Sequence, residues 1–260
     1  MTVAPVGLRC PDHAGSGRRV RGAGPVARRA PQLPMRGSAA LVTKALIALN
    51  VGIYLITAAQ GGGFNAPGGT LFAKMLLFGP FVAQGDWWRL ITAAFLHGGL
   101  LHIAFNMLAL WWIGGPVEQY LGRARYLMLY VVSGLAGSAG ALIQSSATPV
   151  VGASGAIFGI LGAMLILEWQ ATGRLGGNAM TLIVINLVLG FVYNFQAGGN
   201  ISIGGHIGGL FGGILGTLVF ARFGRGHAAY SRLGVPGVAA LVLIGAASIA
   251  ISYWQVRGYA

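Results

Sequence analysis

The chain has 260 residues, of which 8% are charged and 55% hydrophobic, with 45 glycines and a formal net charge of +13. Soluble domains carry about a quarter charged residues, so this composition excludes an ordinary soluble fold. It indicates an all-α polytopic membrane protein, in which abundant glycine lets helices approach closely. The cationic excess does not point to nucleic acid, because the arginines gather in an N-terminal tail and a few short loops, a pattern of membrane topology.

Residues 1–38 are a basic tail containing Arg9, Arg18, Arg19, Arg21, Arg28, Arg29 and Arg36. It lacks hydrophobic periodicity and is expected to be mostly disordered. It has no continuous apolar core of a signal peptide, and it reads as a cytoplasmic anchor beside anionic lipid. Cys10 is the single cysteine, which precludes an intrachain disulfide. Cys10 and His13 are too few ligands for structural zinc.

The first span covers about Leu41 to Ala59, with Lys44 able to snorkel. Residues 60–99 form a long outer connection with Gly61-Gly62-Gly63, Pro67, Pro80 and Trp87-Trp88-Arg89. Its length and aromatic content predict a structured loop at the membrane interface. Further spans are predicted at about Leu100–Val117, Tyr126–Ile143, Ser154–Glu168, Ala179–Phe195, Gly204–Ala221 and Val235–Trp254. The organisation is therefore a tail (1–38), a six-helix core (39–222), and a linker with a seventh membrane helix (223–260).

With the tail inside, the inner loops hold Arg123, Arg125, Arg174, Arg222, Arg225 and Arg232. The outer connections hold only Lys74, Arg89 and Arg257. This bias predicts a multi-pass cell-membrane protein with a cytoplasmic N-terminus and an outer C-terminus.

Polar residues then fall at one depth. Ser154 precedes Glu168 by 14 residues, roughly 21 Å along a helix. His206 precedes Arg222, and His102 precedes Glu118, by 16 residues each, roughly 24 Å, with Asn106 at roughly 18 Å. Four polar side chains on three helices thus share a layer below the outer surface. The fourth helix, ending near Glu168, is too short to span, so water or irregular backbone is expected above Ser154. Any one of these residues alone reads as a helix-bridging hydrogen bond; their convergence makes a functional site the stronger reading.

A serine hydroxyl is a weak nucleophile and needs an adjacent base. His206, within Gly204-Gly205-His206-Ile207-Gly208-Gly209, is the best base available. Gly204, Gly208, Gly212 and Gly216 line one helix face, and Gly155, Gly159 and Ala163 line another. Packing of these two rows is expected to bring Ser154 and His206 together. The acids are Asp12, Asp86, Glu118 and Glu168, none at that depth, so the expectation is a dyad with no carboxylate. Phe158, one turn after Ser154, is placed equally well against His206 or in the core. His102 and Asn106, four apart, and the Ser154 N–H are candidate oxyanion donors. His97 reads equally as a further donor or a loop support. No metal site or nucleotide cofactor is indicated.

Gly152-Ala153-Ser154-Gly155, His206-Ile207-Gly208-Gly209, the His97, His102 and Asn106 series and Trp88-Arg89 together resemble the rhomboid family of intramembrane serine proteases, over about residues 41–222. The resemblance implies hydrolysis of a peptide bond in or beside the transmembrane helix of a protein substrate in the bilayer. Ser154 would be nucleophile, His206 base and acid, and His102, Asn106 and the Ser154 N–H the oxyanion site. It also implies that the 60–99 loop lies sideways in the membrane and that the fifth helix and the 196–203 loop gate entry. Phe158 stands where some members carry tyrosine. The seventh span resembles the variant with one appended helix. The competing readings are a rhomboid-like pseudoprotease that binds membrane helices without cutting and, lower, a small transporter or channel.

Overall fold

Long apolar runs become helices here because lipid offers no partner to an open backbone, so each segment must satisfy its own N–H and C=O groups. The structure, a computed structural model, describes residues 2–4, 7–9, 40–197, 201–223 and 234–259. Within the tail, Thr2–Ala4 (β1) and Gly7–Arg9 (β2) pair antiparallel, with Val3 opposite Leu8. The rest of the 1–38 tail, most of the 196–203 connection's centre and the linker at 224–233 lie outside the described residues.

The membrane part begins with α1 (Leu41–Gln60). The long connection then folds into three short helices, α2 (Gly69–Met75), α3 (Gly79–Ala83) and α4 (Arg89–Thr92), followed by a 3-10 turn at Ala93–Phe95. Arg89 organises that loop. Its guanidinium pairs with Asp86 at 2.8 Å, donates to the Ala73 and Leu76 carbonyls at 2.7 and 3.0 Å, and lies 4.5 Å from the Phe81 ring centroid.

The second span is α5 (Leu100–Ala109), a π turn at Leu110–Gly114, and α6 (Gly115–Leu121). It runs four residues past the predicted end at Val117, to Leu121, where Gly122 at φ +84° ends it. The remaining helices are α7 (Arg123–Gln144), α8 (Ser154–Thr172), α9 (Asn178–Ala197), α10 (Ile203–Phe223) and α11 (Val235–Val256). Among the described residues six helices are long and apolar enough to cross a membrane, and the described stretch Asn178–Val192 of α9 is a shorter apolar helix. The fold is the all-α polytopic one, with α11 appended to a six-helix core.

Two expectations need correction. α8 does not stop near Glu168: it continues to Thr172, and its 19 residues span roughly 28 Å, so it is not too short to cross. Glu168 fails to end it because the carboxylate turns sideways, accepting the Ala179 N–H at 3.0 Å. Glu118 does lie near the end of its helix, three residues before Leu121 and bonded to the first residues of α1. It is fully buried, and its carboxylate accepts the Val42 N–H at 3.0 Å and the Thr43 N–H and hydroxyl at 2.7 and 2.8 Å. Both acids thus satisfy open amides at the start of a neighbouring helix.

The second correction concerns the glycines. Gly204, Gly208 and Gly212 face α7, where side chains on them would meet Gly140, Ala136 and Ser133. A different row faces α8: a Cβ on Gly209 would overlap the Gly155 backbone, and one on Gly213 the Gly159 backbone. α10 is therefore wedged between two helices, each reached through its own glycine row. Spacing alone could not tell which row met which partner, since two rows one residue apart both repeat every four.

Candidate active site

The segment that enters α8 is pinned before it reaches the helix. Leu77 and Val150 exchange two backbone hydrogen bonds of 3.1 and 2.8 Å, and the Gly152 N–H donates to the Ala93 carbonyl at 3.0 Å. Gly152 has φ +135°, a conformation strained for any residue with a Cβ. Ser154 is the first residue of α8, so its N–H has no acceptor within the helix.

His206 sits in the first turn of α10. The Ser202 hydroxyl accepts the Gly205 N–H at 3.0 Å, and the Gln144 Oε1 accepts the Gly204 N–H at 2.5 Å. These two residues fix the start of the helix that carries the imidazole. Sequence reasoning missed both. Ser202, three residues before Gly205, has the spacing of an N-cap and was findable. Gln144 reaches across from α7 and carries no sequence signature.

The Ser154 hydroxyl and His206 Nε2 are 2.9 Å apart. The Phe158 ring stacks on the imidazole with centroids 4.2 Å apart and planes at 13°. If Nε2 of a neutral ring accepts from the hydroxyl, the ring proton is on Nδ1. That nitrogen is buried with no hydrogen-bond partner among the described residues.

His102 is oriented by its own loop. Its Nδ1 accepts the Gly98 N–H at 3.3 Å, which leaves the proton of a neutral ring on Nε2. A Cβ built on Gly152 would lie 2.9 Å from that Nε2 and 3.6 Å from the Ser154 hydroxyl oxygen. The donor and the hydroxyl therefore flank one small space, kept open because residue 152 has no side chain. Asn106 is nearly buried, and its amide donates to the His102 carbonyl at 2.8 Å, which commits one of its two N–H bonds. A Cβ on Gly155, one residue after the serine, would lie 3.3 Å from Gly137 and 3.4 Å from the Gly205 carbonyl, and one on Gly209 would overlap the Gly155 backbone.

His97 stands behind this group. It is fully buried, with its ring edge-on to His102 at 5.1 Å and 69°. Burial, and secondarily His102, push its imidazole down to about 3, so it is neutral. Neither of its ring nitrogens has a hydrogen-bond partner among the described residues. Among the described residues no three His, Cys, Asp or Glu side chains are grouped to hold a metal ion.

The fold and this geometry define a helical membrane protein with a partly buried serine–histidine contact at the mouths of two helices. A Rhomboid domain profile matches residues 84–223, more than half of the chain. Rhomboid protease GluP of Bacillus subtilis (strain 168) is 40% identical over 172 residues, covering 65% of this chain and 32% of that protein. RHOMBOID-like protein 5 of Arabidopsis thaliana is 44% identical over 138 residues, covering 50% of this chain and 44% of that protein. RHOMBOID-like protein 1 of the same plant is 39% identical over 139 residues, covering 50% and 36%. The chain belongs to the rhomboid family. It spans about a third of the length of GluP and less than half of either plant relative.

Proposed function

We propose that the chain is a serine endopeptidase that hydrolyses peptide bonds in or next to the transmembrane helices of protein substrates, using Ser154 and His206. The observation that carries this reading is the 2.9 Å contact between the Ser154 hydroxyl and His206 Nε2. The naming of one relative as a protease supports the reaction class.

In this mechanism His206 Nε2 takes the hydroxyl proton as the Ser154 oxygen attacks the scissile carbonyl carbon. The carbonyl oxygen becomes an oxyanion in the space beside Gly152, facing His102 Nε2–H, the second Asn106 N–H and the Ser154 backbone N–H. The imidazolium then gives its proton to the departing amine, leaving an acyl ester on Ser154. Water adds to that ester by the same route in reverse, and the carboxylic acid leaves. Stacking on Phe158 holds the imidazole plane through both proton transfers, in the role a carboxylate has in a triad. The charge distribution supports a cell-membrane orientation with the N-terminus cytoplasmic and the catalytic mouths toward the outer surface.

The test is cleavage of a protein with one transmembrane helix, co-reconstituted with the purified chain in liposomes. Cleavage near the membrane-embedded segment is expected, with loss in Ser154→Ala and His206→Ala at unchanged thermal stability. Labelling of wild type, but not Ser154→Ala, by a fluorophosphonate locates the nucleophile. Cleavage surviving in Ser154→Ala refutes the mechanism, and a protein that neither cleaves nor labels is a helix-binding pseudoprotease.

A further inference from the structure

The matched Rhomboid domain ends at residue 223, and Ser154 and His206 both lie within it, so α11 needs a separate account. Its buried face, including Gly237, Leu241, Gly245, Ser248 and Ser252, explains how it adheres to the core but not what it does. The outer end of the helix is more informative.

Val256 is fully buried in a cluster of its own with Leu77, Val82, Leu90, Leu142 and Ala93, with Val150 packed against it. This cluster is distinct from the main core. It holds the long outer loop against the segment that leads into α8. One turn further on, the Tyr259 hydroxyl lies 3.2 Å from the Ser146 hydroxyl. The Ser146 carbonyl accepts the Gly79 N–H at 2.9 Å. The chain then pairs Val150 with Leu77 and hangs Gly152 on the Ala93 carbonyl, two residues before Ser154. Every one of those anchors, Leu77, Ala93 and Val150, touches or belongs to the Val256 cluster.

We infer that the outer end of α11 is a positioning element for the serine, with Val256 as its principal residue and Tyr259 as its secondary one. Val256 belongs to the cluster that contains Leu77 and against which Val150 packs, and so braces residues 150–152. That segment decides where Gly152 stands against His102 and where α8 starts. The inference rests on the proposed hydrolytic role of Ser154, since positioning matters only if the serine attacks. A displacement of well under an ångström at residue 152 is enough to spoil a near-attack geometry.

The experiment compares Val256→Ala with Leu241→Ala in the full chain in liposomes. Both remove buried methyl groups from α11, but Leu241 packs in the main core and lies near Gly216, far from the outer loop. Both variants are expected to lower the unfolding temperature. Val256→Ala is expected to cut kcat and the fluorophosphonate labelling rate about tenfold with KM unchanged. Val256→Ile is expected to restore both, and Tyr259→Phe to cost about twofold. Leu241→Ala is expected to leave kcat within about twofold. Hydrogen exchange supplies a reading independent of activity: the Val150 and Gly152 amides should exchange faster in Val256→Ala but not in Leu241→Ala. Equal loss of kcat in both alanine variants, or unchanged exchange at Val150 and Gly152, overturns the positioning role. A wild type that neither cleaves nor labels refutes the hydrolase reading instead, and the exchange comparison still decides the brace.

Discussion

The two ends of the bundle use their carboxylates and imidazoles differently, although the Glu118 end too buries a polar atom without a partner among the described residues, the Tyr126 hydroxyl. At the Glu118 end, charged groups are spent on structure. Glu118 accepts three hydrogen bonds from the start of α1, and Glu168 accepts one from the start of α9. α1 has no capping side chain at Ala40, so a carboxylate from 75 residues away does that work. At the Ser154 end, polar groups are left open. Both His97 nitrogens and His206 Nδ1 are buried without a partner among the described residues, the Ser154 N–H has no acceptor within its own helix, and the Asn106 bond to the His102 carbonyl uses only one of its two N–H groups. Leaving such groups unsatisfied costs stability, about 1–3 kcal/mol for each one that is buried. Under the proposed mechanism two of these groups, the Ser154 N–H and the second Asn106 N–H, are donors that a developing oxyanion needs. Under that mechanism the carboxylates serve stability at one end and the imidazoles serve chemistry at the other.

The largest way to break this division is at the Ser154 end without touching a polar group. Gly152→Ala places a methyl within van der Waals overlap of His102 Nε2, in the space between that donor and the hydroxyl. Peptidase activity should fall about a thousandfold, the scale of losing oxyanion stabilisation. The unfavourable φ adds about 1 kcal/mol of strain, a small change in the unfolding midpoint. Steady-state kinetics and thermal unfolding measured on the same preparation check this. Activity within tenfold of wild type would show that the space beside Gly152 is not where the carbonyl oxygen goes.

The converse variant is Glu118→Ala. It removes a buried carboxylate and strands two amides and a hydroxyl, so about 3 kcal/mol of stability should be lost. The kcat of the folded fraction should stay within about threefold of wild type, because no reacting group is touched. Unfolding in mixed micelles with rising SDS measures the first and active-site titration the second. A selective loss of kcat would mean that the two ends are coupled rather than divided.

Much of this arrangement was legible in the sequence, and the gaps have physical reasons. Counting residues along helices put Ser154, His206, His102 and Asn106 at one depth, and in the structure Ser154 contacts His206 while Ser154 and His102 flank Gly152. Depth is readable because helical rise is constant. Direction is not, which is why the wrong glycine row was matched to α8. The same limit hid the acids' partners: Glu118 and Glu168 were read as boundary markers, and each also turns sideways onto another helix. Partners separated by 75 residues, or a Gln144 that caps α10 from α7, depend on tertiary packing and leave no local pattern. The three short helices of the 60–99 loop escaped for another cause. They have no periodic apolar face: Arg89 ties them to loop carbonyls, and isolated residues such as Val82 and Leu90 bury in a separate apolar cluster.

A smaller effect is expected at Glu168. It contributes a single hydrogen bond at the start of α9 and is only partly buried, so Glu168→Ala should cost about 1 kcal/mol. At that end α9 is held to the core by Ala179 and Ile183, while Val184, Ile185, Val188, Leu189 and Phe191 further along are exposed. Hydrogen exchange should rise in the first turns of α9 and nowhere else in the core. Uniform acceleration across the bundle would place Glu168 among the global supports with Glu118.

The smallest expected effect concerns Phe158, and it asks whether packing alone holds His206. In the resting protein the stacked rings are worth about 1 kcal/mol beyond simple burial. During attack the imidazole becomes a cation over the same ring face, which adds about 1 kcal/mol in a desolvated site. That second contribution exists only once the proton has moved, so it lowers the barrier rather than tightening substrate binding. Phe158→Leu keeps an apolar group of similar bulk but removes the ring. It should reduce kcat about fivefold and leave KM unchanged. Phe158→Tyr keeps the ring face and should stay within about twofold of wild type. If leucine supports full kcat, the ring is core packing and His206 is held by the Ser202 and Gln144 caps alone. If tyrosine fails while leucine succeeds, the site tolerates no hydroxyl beside the imidazole, and the orphaned Nδ1 is kept dry for that reason.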